Sequence, residues 1–210
     1  MQNTKTKLII TSIVAILSSG GDAMAATTSG SLWHVSESTS QSATLANVPG
    51  TTPDVTFDVN SPLNFDATSA SVQTWLNSGS AFNIHENTTG TLASLMDNFS
   101  KGTLVDFKGS ITVATGEDFT VRHDDGLTLI IDGINLGFSG GPTSPTVTTK
   151  TYSGPSGTFP FELVYGECCG GPAVLQVEVT IPETSSTLML LLLSVGILAV
   201  LARQKGQVRA

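Results

Sequence analysis

Gly116-Glu117-Asp118-Phe119-Thr120-Val121-Arg122-His123-Asp124-Asp125-Gly126-Leu127-Thr128-Leu129-Ile130-Ile131-Asp132-Gly133 is the stretch on which the fold turns. Two runs of alternating or β-branched residues, Glu117 to His123 and Leu127 to Asp132, flank Asp124-Asp125-Gly126. Local sequence favours a β-hairpin reversed at this tripeptide, because Asp and Gly tolerate the positive φ of tight turns. The alternative is a cation site, since adjacent carboxylates repel each other unless a hard, oxygen-seeking ion such as Ca²⁺ lies between them. His123 reads as a strand residue beside the turn rather than as a base or a metal ligand.

Further strands are expected at Thr103 to Thr115, Val147 to Ser153, Phe159 to Tyr165 and Val174 to Ile181, each bounded by Gly, Pro or Asp. Phe159, Phe161, Leu163 and Tyr165 share one face at period two. So do Leu175, Val177, Val179 and Ile181, with Gln176 and Glu178 opposite, which gives each strand one buried and one wet face. Upstream, Leu92, Leu95, Met96 and Phe99 have the spacing of one helical face, which Gly102 would end; Val72, Trp75 and Leu76 predict a shorter helix after Thr68 or Ser69. The expected fold is mainly β, an antiparallel β-sandwich with one or two short helices in its N-terminal half.

The sandwich is bracketed by two address-like ends. Lys5 and Lys7 precede the apolar run Leu8 to Leu17, and Ala23-Met24-Ala25 supplies a small-x-small cleavage site, so residues 1–25 read as a signal peptide for signal peptidase. At the other end, residues 182–210 hold Pro182-Glu183-Thr184, an apolar stretch from Leu188 to Ala202, and the basic residues Arg203, Lys205 and Arg209. A transmembrane helix over about 184–202 would reach about 28 Å, enough to cross a bilayer thinly. The basic end holds the C-terminus in the cytoplasm and leaves the domain outside. Residues 26–181 form one domain with four basic residues (Lys101, Lys108, Arg122 and Lys150) against fifteen acidic ones, a net charge of −11. That surface excludes nucleic acid and anionic lipid as partners and favours cations or plain solubility.

Cys168 and Cys169 are the chain's two cysteines, and they are adjacent. Neighbouring Cα atoms lie about 3.8 Å apart, below the usual range for a disulfide, so three states stay open: a vicinal bridge, reduced thiols or an intermolecular bridge. No second Cys or His pair offers zinc spacing. Gly137-Phe138-Ser139-Gly140-Gly141 fits the G-x-S-x-G nucleophile elbow, but Pro142 and Pro145 follow at once, and His34, His85 and His123 all precede the serine. Hydrolase chemistry is rejected on both grounds. Asp124 and Asp132 would make a glycosidase pair only at a separation that sequence does not supply.

Two resemblances extend this reading. Pro182-Glu183, the helix Leu188 to Ala202 and the basic end resemble the PEP-CTERM sorting signal of exopolysaccharide-producing Gram-negative bacteria, with Thr184 where that family has a second Pro. This implies processing by an exosortase, with the protein at the cell surface or extracellular afterwards and otherwise anchored in the inner membrane with its domain in the periplasm. The region 55–181 is similar to exported PEP-CTERM proteins without an assigned activity. Over roughly 103–181, a strand ending in Asp-Asp-Gly, a second running into Asp-Gly, a Gly-rich loop, an aromatic-alternating strand, a Tyr-Gly-Glu turn and a final Leu-x-Val strand resemble the protective-antigen-type β-sandwich of surface proteins and flocculation lectins. In its lectin members two consecutive Asp residues, joined by a cis peptide, bind Ca²⁺ that holds sugar hydroxyls; Asp124 and Asp125 occupy that position.

The reading favoured at this point is a non-catalytic surface or matrix protein associated with exopolysaccharide and lacking a discrete ligand site. The alternative is a calcium-dependent carbohydrate-binding or adhesin module using Asp124 and Asp125, in which Asp125→Ala would abolish binding and leave the fold intact. A glycan-active enzyme ranks third.

Overall fold

A computed structural model describes residues 27–68 and 71–180. The signal peptide with Ala23 and Ala25, and the sorting signal with Pro182, Glu183, Thr184, Arg203 and Lys205, lie outside the described residues. Among the described residues no helix is long and apolar enough to cross a membrane.

The strands are β1 (Thr27–Ser36), β2 (Val55–Asn60), β3 (Asn64–Ala67), β4 (Phe82–Glu86), β5 (Lys101–Val113), β6 (Asp118–Asp124), β7 (Leu127–Ile131), β8 (Ile134–Asn135), β9 (Thr146–Thr151), β10 (Gly157–Glu167) and β11 (Ala173–Thr180). The α-helices are α1 (Glu37–Ser40) and α2 (Val72–Ser78). A seven-stranded sheet runs β4-β2-β1-β5-β10-β7-β8 and a four-stranded sheet runs β3-β11-β6-β9. Every pairing is antiparallel. The expected sandwich is therefore present, and all six strands expected from the alternation lie within a few residues of their predicted limits.

One continuous core fills the space between the sheets. Phe107, Phe161, Leu163 and Tyr165 from the large sheet meet Phe65, Phe119, Val121, Leu175 and Val177 from the small one. Burying each such side chain contributes roughly 1.5–3 kcal/mol. Trp75 of α2 closes one end of this core. Its ring stacks on Phe65 at 4.2 Å and lies parallel to Tyr165 at 5.8 Å. The helix forms where Val72, Trp75 and Leu76 share an inward face, and it starts at Ser71, whose hydroxyl accepts the Thr74 N–H at 3.2 Å. A second, smaller cluster of Ala43, Leu104 and Val164 lies under α1 on the outer face of the large sheet.

Two expectations are corrected. The segment Leu92–Phe99 is a series of turns, not a helix. The carbonyls of Leu92 and Ser94 accept the Gln73 and Val72 N–H groups, so they serve the open start of α2 instead of their own helix. Asp97 and Asn98 then bond locally to the N–H groups of Phe99, Ser100 and Lys101, the competition that disfavours these residues in helix interiors. Met96 alone of the stripe is buried, while Leu95 and Phe99 are exposed.

The second correction concerns the hairpin. β6 and β7 belong to different sheets, so Asp124-Asp125-Gly126 is an arch between the layers and not a tight reversal. The tight hairpin lies one strand later, where Ile131 pairs with Ile134 around Asp132 (φ 51°) and Gly133 (φ 76°). Positive φ at both central residues matches the twist that a two-residue turn requires.

Candidate functional site

The arch places two acidic side chains at one end of the sandwich. Pairing of β6 with β11 runs to Asp124 opposite Val174, and from there the chain crosses to the large sheet through Asp125 and Gly126. The Asp124–Asp125 peptide is cis. Both residues are almost fully enclosed, at 4% and 3% exposure.

Backbone and side-chain groups from distant segments fix the arch. The Tyr165 hydroxyl donates to the Asp124 carbonyl, and the Gly166 N–H donates to the Gly126 carbonyl at 3.0 Å. The Leu127 N–H donates to Ser139 at 2.9 Å, which lays the 136–145 loop across the turn. A Cβ on Gly126 would come within 2.2 Å of the Gly140 backbone carbon, so this position admits no side chain. His123 Nδ1 lies 2.6 Å from the Asp125 carbonyl and therefore carries the proton; Nε2 accepts from the Thr148 hydroxyl at 3.0 Å. His123 is thus a buried strand residue that supports the arch.

The two carboxylates differ in their fixed partners. Asp125 accepts the Thr143 N–H at 2.9 Å on one oxygen and the Cys168 N–H at 2.8 Å on the other. Asp125→Ala would remove the acceptor of the enclosed Cys168 N–H and of the half-buried Thr143 N–H, a loss that is expected to cost stability. Burial, reinforced by the charge of Asp125 beside it, pushes the Asp124 carboxyl up to about 7. Burial also raises Asp125, against the two N–H groups that favour its charged form.

A second pair of acids faces the first. Glu167 lies 2.6 Å from the Tyr165 hydroxyl, and burial followed by repulsion from Asp125, Asp124 and Asp97 pushes it up to about 9. A protonated Glu167 donates to the phenol oxygen while the phenol donates its single proton to the Asp124 carbonyl, which satisfies both contacts. Asp97 accepts the Gly170 N–H at 2.6 Å.

Cys168 and Cys169 are joined through their sulfurs, with Cys168 buried and Cys169 exposed. Among the described residues, Asp125, Cys168 and Cys169 form the trio of potential metal-binding side chains drawn within 4.8 Å. Sulfurs committed to a disulfide are not the thiolates that zinc takes, so the trio offers one hard oxygen donor and no zinc site. The donor set at the arch is oxygen, from two adjacent carboxylates without a bonded cationic side chain among the described residues, and this fits a hard cation such as Ca²⁺. Arg122, the nearest basic residue in sequence, is bonded to Asp66 and Gln176.

Sequence reasoning found Asp124, Asp125 and the cysteine pair. It missed Asp97, Thr143, Tyr165 and Glu167, which join the site only through tertiary contact; the one available signal was an acid, Glu167, ending an apolar strand beside the cysteines. The structure also separates the imagined glycosidase pair. Asp124 precedes β7 and Asp132 follows it, and five strand residues span about 16 Å, beyond the roughly 5–9.5 Å between paired glycosidase carboxyls. Ser139 sits in the loop over the arch without a following helix.

No protein-family model matches the chain, and no curated protein does. Among solved structures, the chain is similar to a PA14 sugar-binding domain from an RTX adhesin, with a TM-score of 0.50 and 21% identity over 73% of this chain and 89% of that one. It is also similar to the PA14 domain of the MpAFP antifreeze protein, with a TM-score of 0.50 and 19% identity over 77% of this chain and 85% of that one. At these identities the likeness is one of fold.

Proposed function

We propose that the sandwich is an exported, non-catalytic carbohydrate-binding module of the adhesin type, in which Asp124 and Asp125 hold Ca²⁺ at the arch. The observation that carries this reading is the enclosure of two adjacent carboxylates with no cationic partner bonded to them among the described residues, an arrangement that a bound cation relieves. When bound, Ca²⁺ supplies a centre on which sugar hydroxyls replace water. The chain's own residues do the rest. Thr143 and Cys168 N–H groups orient the Asp125 carboxylate, and Tyr165 fixes the backbone of Asp124. The sugar-binding description of the RTX adhesin domain supports the ligand class by analogy of fold.

The absence of enzymatic activity rests on the same geometry, since the carboxyl pair and the serine motif are each placed unsuitably for hydrolysis. Routing belongs to the proposal too. Residues 1–25 direct export, and residues 182–210 act as an exosortase-type sorting signal that brings the module to the cell surface, where exopolysaccharide is the available glycan. Calorimetric titration of Ca²⁺ and then of monosaccharides into the purified chain tests the reading, with Asp124→Asn as the variant. Calcium-dependent sugar binding that the variant loses supports it, and sugar binding unaffected by a chelator would overturn it.

A further inference from the structure

Beside the carboxylate cluster lies a cavity of about 150 Å³ that includes Leu95, Met96, Asp97, Phe99, Glu167 and Ala173 in its lining. Phe99 stands at its rim, 70% exposed, and Leu95 is 47% exposed. A single exposed apolar side chain is ordinary. Phe99 differs in how firmly it is held. Its φ is 61°, its N–H donates to Asp97 at 3.1 Å, and Asn98 accepts the next two N–H groups, of Ser100 and Lys101. Its ring lies so near Gly170 that a Cβ there would meet it at 2.8 Å, and Gly170 itself has a φ of 97°. A rigid aromatic face is therefore presented to solvent while the larger aromatic residues of the core are enclosed.

The position relative to the arch gives this face its meaning. Gly170 follows Cys169, and Cys169 lies within 4.8 Å of the Asp125 carboxylate. Asp97, which also caps Gly170, raises the carboxyls of both Asp125 and Glu167. The exposed Phe99 ring, the half-buried Asp97 and Gly170 and the exposed Cys169 thus line the path that leads to the enclosed Asp pair.

We infer that Phe99 is a stacking platform for a second sugar ring, so that the site takes a disaccharide or longer glycan lying from Asp124–Asp125 across the disulfide to Phe99. This rests on the carbohydrate-binding reading of the arch. A pyranose ring has an apolar C–H face that suits an aromatic ring and hydroxyl edges that suit the half-buried Asp97 carboxylate. The module then reads linked sugars, and Phe99 sets the preference for chain length over single residues.

The test uses the full-length chain with calcium, and glucose, galactose, mannose and fucose with matching β-linked disaccharides as probes. The expected result is tighter binding of a disaccharide than of its monosaccharide. Phe99→Ala should erase that gain, roughly three- to ten-fold, without changing Ca²⁺ or monosaccharide affinity. Phe99→Trp should keep it and should shift indole emission on disaccharide binding, because Trp33 and Trp75 are buried. Monosaccharide binding with a disaccharide gain that survives Phe99→Ala overturns the platform and leaves the arch reading intact. If no probe binds the wild-type chain, both fall.

Discussion

The carboxylate of Asp125 accepts the backbone N–H of Cys168 at 2.8 Å, a contact that spans 43 residues of sequence. It ties the arch between the sheets to the end of β10 and to the cysteine pair. Asp125 is therefore both a candidate ligand and a structural tie, whereas the Asp124 carboxyl is disfavoured as a charge first by burial and then by its neighbour.

The two residues should separate in mutagenesis. Asp125→Ala strands the enclosed Cys168 N–H, at a cost of about 1–3 kcal/mol, frees the half-buried Thr143 N–H, and is expected to lower the urea midpoint clearly. Asp124→Asn removes a repelled charge and should leave the midpoint unchanged or slightly raised while Ca²⁺ binding is lost. Equal loss of stability in both variants would contradict the assignment.

Gly126 is closed to side chains by the Gly140 backbone. Gly126→Ala should destabilise the chain by about 1–3 kcal/mol, since the 136–145 loop must move off the arch. Gly50, with open space at its Cβ position, serves as the control, and Gly50→Ala should have little effect. Chemical denaturation of both variants reads the difference.

The pH dependence has a definite sign. Glu167 is pushed up to about 9 and Asp124 to about 7, so the folded state keeps protons that the unfolded chain releases near its ordinary carboxyl values. Where the folded state binds more protons, stability falls as pH rises. For Asp124 that window runs from about pH 4 to 7, and for Glu167 from about pH 4.5 to 9. Without calcium, these two groups should make the Tm fall as pH rises through those windows, and Glu167→Gln should flatten the upper part. Calcium should bind more tightly as pH passes upward through about 7. A wild-type slope above pH 7 that Glu167→Gln leaves unchanged would contradict this account.

The vicinal disulfide is open to direct assay. Ellman titration of the denatured, unreduced chain should find no free thiol, given the bond between Cys168 and Cys169. Two free thiols would remove the bridge from the site.

Much of the C-terminal half was legible because its strands alternate cleanly: Phe161, Leu163 and Tyr165 face inward, as do Leu175 and Val177. The N-terminal strands were not. β1 reads Thr-Thr-Ser-Gly-Ser-Leu-Trp-His-Val-Ser, and its Gly and Ser residues mask the alternation. The stripe of Leu92, Leu95, Met96 and Phe99 misled because spacing does not reveal that α2 takes the Leu92 and Ser94 carbonyls. At the site, Asp124–Asp125 stood out as adjacent charges at a turn. Tyr165 and Glu167 could not be assigned to it, since 41 residues separate Tyr165 from the Asp124 carbonyl it bonds. The sequence resemblance, in contrast, pointed to the sandwich and to the cis Asp–Asp peptide that the structure contains.

The most direct measurement is calorimetric titration of Ca²⁺ into the full-length chain, in parallel with Asp124→Asn. The account predicts saturable binding to the wild-type chain that the variant loses while its melting curve stays intact. Equal heats in both, or none in either, would contradict a cation site at the arch and leave the Asp pair as a connection between two sheets.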